Sequence, residues 1–150
     1  MVALIEMNHE EFTNWNERIW IAYRSELIKS GSTEVEAEQN VQLNISQTMP
    51  EGVPLAGNYI FNVHENEENV GAVWLNDRDS KWFIYDIEID ELHRGKGLGR
   101  ATMQAIETFI KENGGTEINL SVFGFNHIAR NLYESEGYEI TRLALTKKLN

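Results

Sequence analysis

The sequence predicts an α/β domain of the α+β kind, with a mixed, mostly antiparallel central sheet flanked by helices. Three observations predict it. Apolar residues recur at helical spacing over the first fifty positions, the period changes to that of strands from Asn58, and helical and extended segments then alternate from Lys81 to the end. At 150 residues with 41% hydrophobic composition, the chain has the length and apolar content for one core.

Asn8 with Glu11 three residues on forms a capping box, and Phe12, Trp15, Ile19, Tyr23 and Leu27 follow on one face, so a helix runs to the neighbourhood of Gly31. Thr33 with Glu36 repeats the pattern, and Ala37, Val41, Ile45 and Met49 carry a second stripe until Pro50. Residues 50 to 57 are a loop. Tyr59 to Val63 and Val70 to Leu75 read as a hairpin joined through residues 64 to 69.

Lys81 to Asp90 is a third strand, with Ile87 and Ile89 on one face and Asp86 and Glu88 on the other. Gly97 to Asn113 is helical again, and Ile118 to Phe123 is extended. A shorter helix from Asn126 to Glu136 closes at Gly137, and Tyr138 to Leu149 alternates as a final strand. The expected order is α-α-β-β-β-α-β-α-β, with one right-handed parallel crossover around the 97 to 113 helix.

Composition narrows function. Thirteen Lys and Arg against 24 Asp and Glu give a formal charge of −11, which repels nucleic acid and anionic lipid and favours a cationic partner. The absence of cysteine excludes disulfides, thiolate metal sites and an acyl-cysteine relay. His9, His64, His93 and His127 lack ligand spacing, so no metal is expected. Neither a signal peptide nor a membrane span is visible, and a cytoplasmic location is the expectation.

The segment Arg94-Gly95-Lys96-Gly97-Leu98-Gly99-Arg100 lies between a strand and a helix start. Glycines at alternate positions let backbone N–H groups converge on one ligand, the helix N-terminus adds partial positive charge, and Arg94, Lys96 and Arg100 supply full charges. The pattern suits a diphosphate. A Walker A loop would need Lys then Ser or Thr after the last glycine, and a dinucleotide fingerprint beginning at Gly97 would need Gly or Ala at Thr102; the chain has neither.

Arg94-Gly95-Lys96-Gly97-Leu98-Gly99 resembles the Arg/Gln-x-x-Gly-x-Gly/Ala signature of the GCN5-related N-acetyltransferase (GNAT) family. Downstream, Leu120 to Phe123 followed by Asn126, Ala129, Leu132-Tyr133 and Gly137-Tyr138 is similar to that family's second cofactor segment. The resemblance covers about residues 83 to 139. It implies a single N-acetyltransferase domain over 1–150, with residues 1–57 on the acceptor side and 58–150 as the sheet and acetyl-CoA-binding core. It implies acetyl-CoA as co-substrate, with its pyrophosphate on the amides from Gly95 to Arg100 and its pantetheine arm against the main chain of Ile87 and Ile89 and the side chain of Asn126.

The same resemblance makes Tyr133 the general acid for the CoA sulfur and the Ile89 N–H an oxyanion donor. The base does not transfer by motif. Glu88 is preferred, with Asp86 or a water as alternatives, and either carboxylate could instead hold a cationic acceptor. The expected activity is direct acetyl transfer to an amine, whether small, antibiotic-like or peptidyl. The competing reading is a non-catalytic acyl-CoA sensor, and an intact Tyr133 favours the enzyme. By analogy with the family, a homodimer through the final strand is also expected.

Overall fold

The computed structural model describes all 150 residues, and its elements run β1 (Val2–Glu6), α1 (His9–Lys29), α2 (Glu34–Thr48), β2 (Asn58–Glu65), β3 (Glu68–Arg78), β4 (Lys81–Ile89), α3 (Leu98–Glu112), β5 (Glu117–Leu120) and α4 (His127–Ser135). Single 3₁₀ turns lie at Pro50–Gly52 and Glu91–His93. Both capping boxes form, with Asn8 accepting from the Glu11 amide and Thr33 from the Glu36 amide. Each satisfies two N–H groups that a bare helix end leaves open.

The sheet has the order β1-β2-β3-β4-β5, antiparallel throughout except for the parallel β4–β5 pair around α3. Both hairpins turn on two residues, Asn66-Glu67 and Asp79-Ser80, all at positive φ. These turns are tighter than the sequence suggested, because only the Asn and Asp of the two pairs advertise a left-handed backbone. β1 has no counterpart in the expected order. Its residues lack alternation, and it is defined by pairing with β2.

The final strand expected at Tyr138 to Leu149 does not form. Tyr138 donates its N–H to the Tyr133 carbonyl, and from Glu139 onward no backbone group is hydrogen-bonded. Strand periodicity is only half of a strand. The other half is a neighbouring ladder, and the segment has none within the chain.

Apolar side chains fill both faces of the sheet. Trp82, Ile84, Val73, Leu75, Met103, Ile106 and Ile110 form the core under α3, while Trp15, Ile19, Met49, Ala72 and Trp74 form the core under α1. Leu27, Ala37 and Val41 join α1 to α2. Each buried side chain of this size stabilises the fold by about 1.5–3 kcal/mol, before the conformational entropy of ordering it.

Candidate active site

The site grows from an irregularity in β4. In the β3–β4 ladder Trp74 pairs with Asp86 but Leu75 pairs with Ile84, which leaves Tyr85 as an extra residue. Such a bulge rephases the strand. Trp82 and Ile84 face the α3 core before it and Ile87 after it, while Tyr85, Asp86 and Glu88 all face α1. Strict alternation from Trp82 would have buried both carboxylates under α3.

A slot opens beside the bulge. β5 pairs with β4 only from Lys81↔Glu117 to Ile84↔Leu120, and β4 runs on alone to Ile89. The Asp90 N–H donates to the Val70 carbonyl, so backbone groups of Asp90 and of alternate residues before it point to β3. Those of Ile87 and Ile89 therefore point away from β3 into the slot. The Ile89 carbonyl there accepts from Arg94 Nε at 2.9 Å.

At the end of the slot the chain enters α3 through Gly95 and Gly97, both at φ 77, where added Cβ atoms would meet nothing within 4 Å. Gly97 is the N-cap in a left-handed conformation and brings no side-chain cap. As a result, the amides from Gly95 to Arg100 find no acceptor in the protein. Six consecutive unbonded N–H groups at the positive end of α3, with open space over Gly95 and Gly97, are a fit for a phosphate group. Gly99 has a different use, since its Cβ would lie 3.3 Å from Leu132 Cδ2 where α3 packs on α4.

The predicted cationic residues divide. Lys96 makes no ion pair, and Arg94 is fastened through Nε with its terminal nitrogens outside any ion pair. Arg100 is directed elsewhere: it donates to Ser135 Oγ at 3.0 Å and lies 3.1 Å from Glu136 Oε1, tying α3 to the end of α4. Its contribution at the cradle is the backbone amide. Asn126 is the N-cap of α4, with Oδ1 accepting from the Ala129 N–H at 3.2 Å, and its Nδ2 has no partner.

Tyr133 on α4 lies half-buried against the α3 core, with its ring 5.9 Å from that of Tyr138, and its hydroxyl bonds to nothing in the protein. Burial, reinforced by the charge of Asp86, pushes its pKa up to about 12. Asp86 keeps some accessible surface as a residue, but its Oδ2 is sealed from solvent without a hydrogen-bond partner. Burial, then the charges of Glu88 and Glu26, raise Asp86 from 3.8 to about 8, opposed by Arg18. Glu88 is ion-paired to Arg18.

Two residues of α1, Arg18 and Glu26, thus belong to the site although sequence reading did not select them. They stand eight positions apart, two helical steps of four, which places them on one side of α1. That spacing was the available signal. No group of three or more His, Asp or Glu side chains is gathered to hold a metal ion, and no helix is long and apolar enough to cross a membrane.

The candidate site thus consists of a parallel strand pair whose ladder stops at Leu120, a glycine-led helix start with unbonded amides, and a Tyr133 hydroxyl without a partner in the protein. The sequence pattern of the Acetyltransferase (GNAT) family matches residues 9–138, and the chain belongs to that family. It is similar to two uncharacterized N-acetyltransferases of Bacillus subtilis: YycN, 28% identical over 99% of both chains, and YdgE, 29% identical over 98% of both. The crystal structure of YycN superposes with a TM-score of 0.91 at 27% identity, covering 100% of this chain and 99% of that one. An aminoglycoside acetyltransferase from a soil metagenomic sample, solved with sisomicin, shares the fold at a TM-score of 0.59 and 14% identity, covering 99% of this chain and 97% of that one.

Proposed function

We propose that the protein transfers an acetyl group from acetyl-CoA directly to a primary amine, with the acceptor approaching from the α1 side of β4. The observation that carries the reading is the run of six unbonded amides from Gly95 to Arg100 at the mouth of the β4–β5 slot. These hold the pyrophosphate, while the Ile87 and Ile89 main chain and Asn126 Nδ2 receive the pantetheine arm.

The amine nitrogen attacks the thioester carbonyl, the carbon–sulfur bond breaks, and the sulfur leaves as a thiolate that takes a proton. The Ile89 N–H, directed into the slot, stabilises the oxyanion. Tyr133 keeps its proton throughout the neutral range because its pKa is pushed up to about 12. A free thiol has a pKa of about 8.5, so transfer to an exposed thiolate would be uphill; desolvation of the sulfur in the same slot narrows that gap.

The ammonium proton goes to a carboxylate on the α1 face, directly or through water. Asp86 is the better base than Glu88, because its Oδ2 lacks any partner while Glu88 is committed to Arg18. Glu26 adds negative charge on the same side. An acceptor with more than one cationic group fits this face, and a cytoplasmic site of action belongs to the same reading.

Calorimetric titration with acetyl-CoA tests the cofactor. Micromolar binding that the Arg94→Glu, Gly97→Asp variant abolishes is the expected result, followed by turnover in a screen of polyamines, aminoglycosides and lysyl peptides. A folded wild-type chain that binds no acetyl-CoA would overturn the reading; tight binding without turnover on any amine would favour an acyl-CoA sensor.

A further inference from the structure

Tyr138 is a buried titratable group that the proposed reaction leaves unused. It follows Gly137, whose φ of 94° lets the chain double back after α4, and its N–H donates to the Tyr133 carbonyl at 3.0 Å. That turn holds two phenol rings together. They are tilted at 58° with centroids 5.9 Å apart, and both pack against the core under α3. Tyr138 Oη is sealed from solvent and has no hydrogen-bond partner in the protein, whereas Tyr133 Oη, also without a partner in the protein, keeps some accessible surface. A phenyl ring would fill the same volume without burying a hydroxyl, so packing accounts for the Tyr138 ring and not for its oxygen.

The groups around the two rings set their order. Facing Tyr138 are Glu107 from α3, Tyr133 from α4 and Glu136 from the end of α4; burial, and then these three in turn, push its hydroxyl well above the ordinary tyrosine range. Glu136 is itself paired with Arg100 at 3.1 Å. Facing Tyr133 is Asp86. Asp86, Tyr133, Tyr138 and Glu107 thus succeed one another from the α1 face of β4 to α3, and Tyr138 is a proton-bearing donor throughout the neutral range.

We infer that Tyr138 is a positioning residue for Tyr133, its hydroxyl donating to Tyr133 Oη directly or through one water and so turning the Tyr133 hydrogen toward the slot. A hydroxyl that accepts on one side aims its own hydrogen to another. For the transfer step the inference rests on the acyl-transfer reading: the Tyr133 O–H bond breaks, an S–H bond forms on the departing thiolate, and the Tyr133 phenolate is left. The hydrogen bond from Tyr138 strengthens on that anion until a proton from water restores the phenol. The contact between the two hydroxyls is a property of the chain alone.

Tyr138→Phe keeps the ring and removes the oxygen. Acetyl-CoA affinity by calorimetry should stay within about twofold, while kcat falls about tenfold at every pH, with the shape of its pH profile unchanged. In a Tyr133→Phe background the same substitution should cost no further rate, because the hydroxyl it acts through is already gone. A second measurement needs no turnover. With 3-fluorotyrosine, a more acidic phenol, placed at position 133, the fluorine resonance reports that group's titration, and Tyr138→Phe should raise its midpoint by about half a unit or more, since the phenolate loses a donor.

Equal losses of rate in the two backgrounds would overturn the inference, because Tyr138 would then act on packing and not through Tyr133. So would an unmoved fluorine titration, or a higher melting temperature at full rate, which would show an idle hydroxyl. A wild-type protein that acetylates no amine, yet whose fluorine titration moves as expected, would remove the acyl-transfer reading and leave the contact between the hydroxyls established.

Discussion

Asp86 stands opposite Trp74 across the β3–β4 ladder, one residue beyond the bulge that leaves Tyr85 without a partner. The pairing puts a carboxyl group on an aromatic floor made by Trp74 and Tyr85, whose ring centroids are 4.9 Å apart. Little water reaches it, and the nearest charges are mostly negative, so the proton is held up to about pH 8.

Stability should record that held proton. Asp86 binds its proton more tightly in the folded chain, with a pKa of about 8 against 3.8 when unfolded, so its contribution is complete below about pH 4 and is lost as pH rises through about 8. Asp86→Asn, which cannot ionise, should match the wild type in melting temperature near pH 4 and exceed it progressively to pH 9. The gain there should be of the order of a few kcal/mol. Parallel melting curves across that range would contradict this.

Arg18 sets where the titration falls. It is the cation that lowers the Asp86 pKa, and it also neutralises Glu88. Arg18→Ala should move the acid limb of the kcat/KM profile to higher pH, by up to about one unit, and Glu88→Gln should move it lower. Profiles that stay in place would remove Asp86 as the base.

Tyr133→Phe should lower kcat by about 10²- to 10⁴-fold while acetyl-CoA affinity measured by calorimetry stays within about twofold. A matched loss of affinity would assign the hydroxyl to binding instead of proton donation.

The two halves of this site differed in how openly the sequence displayed them. The cradle was legible because glycine spacing, basic residues and a helix start all occur within Arg94 to Arg100. The base side was not, because Arg18 and Glu26 reach Asp86 only after α1 has docked on the sheet through Trp15 and Trp74. The bulge at Tyr85 was equally silent. It arises from the mismatch between β3 and β4, and no residue type encodes it. Arg100 shows what a sequence position leaves open: its amide stays unbonded beside the cradle, while the fold directs its guanidinium to Ser135 and Glu136.

Gly71 is a further position where backbone proximity decides. A Cβ there would stand 2.1 Å from the Glu88 carbonyl oxygen and 3.2 Å from Ile89 Cα, so Gly71→Ala must push the end of β4 away from β3. Overpacking of this kind costs about 1–3 kcal/mol, and contact with backbone places it at the upper end. The displaced Ile89 N–H should also lower kcat more than it raises KM. Full activity in a destabilised Gly71→Ala protein would exclude Ile89 as the oxyanion donor.

Three of the four tryptophans, Trp15, Trp20 and Trp74, touch edge to face in one chain on the α1 side, while Trp82 lies alone under α3. The chain thereby carries an optical probe of the α1 face of its sheet. Exciton coupling within the trio should dominate the near-ultraviolet dichroism, and Trp74 emission should quench or recover as the carboxyl opposite it gains or loses its proton. An unlabelled sample in a fluorimeter would then report any ligand that changes the protonation of Asp86, without a chemical handle.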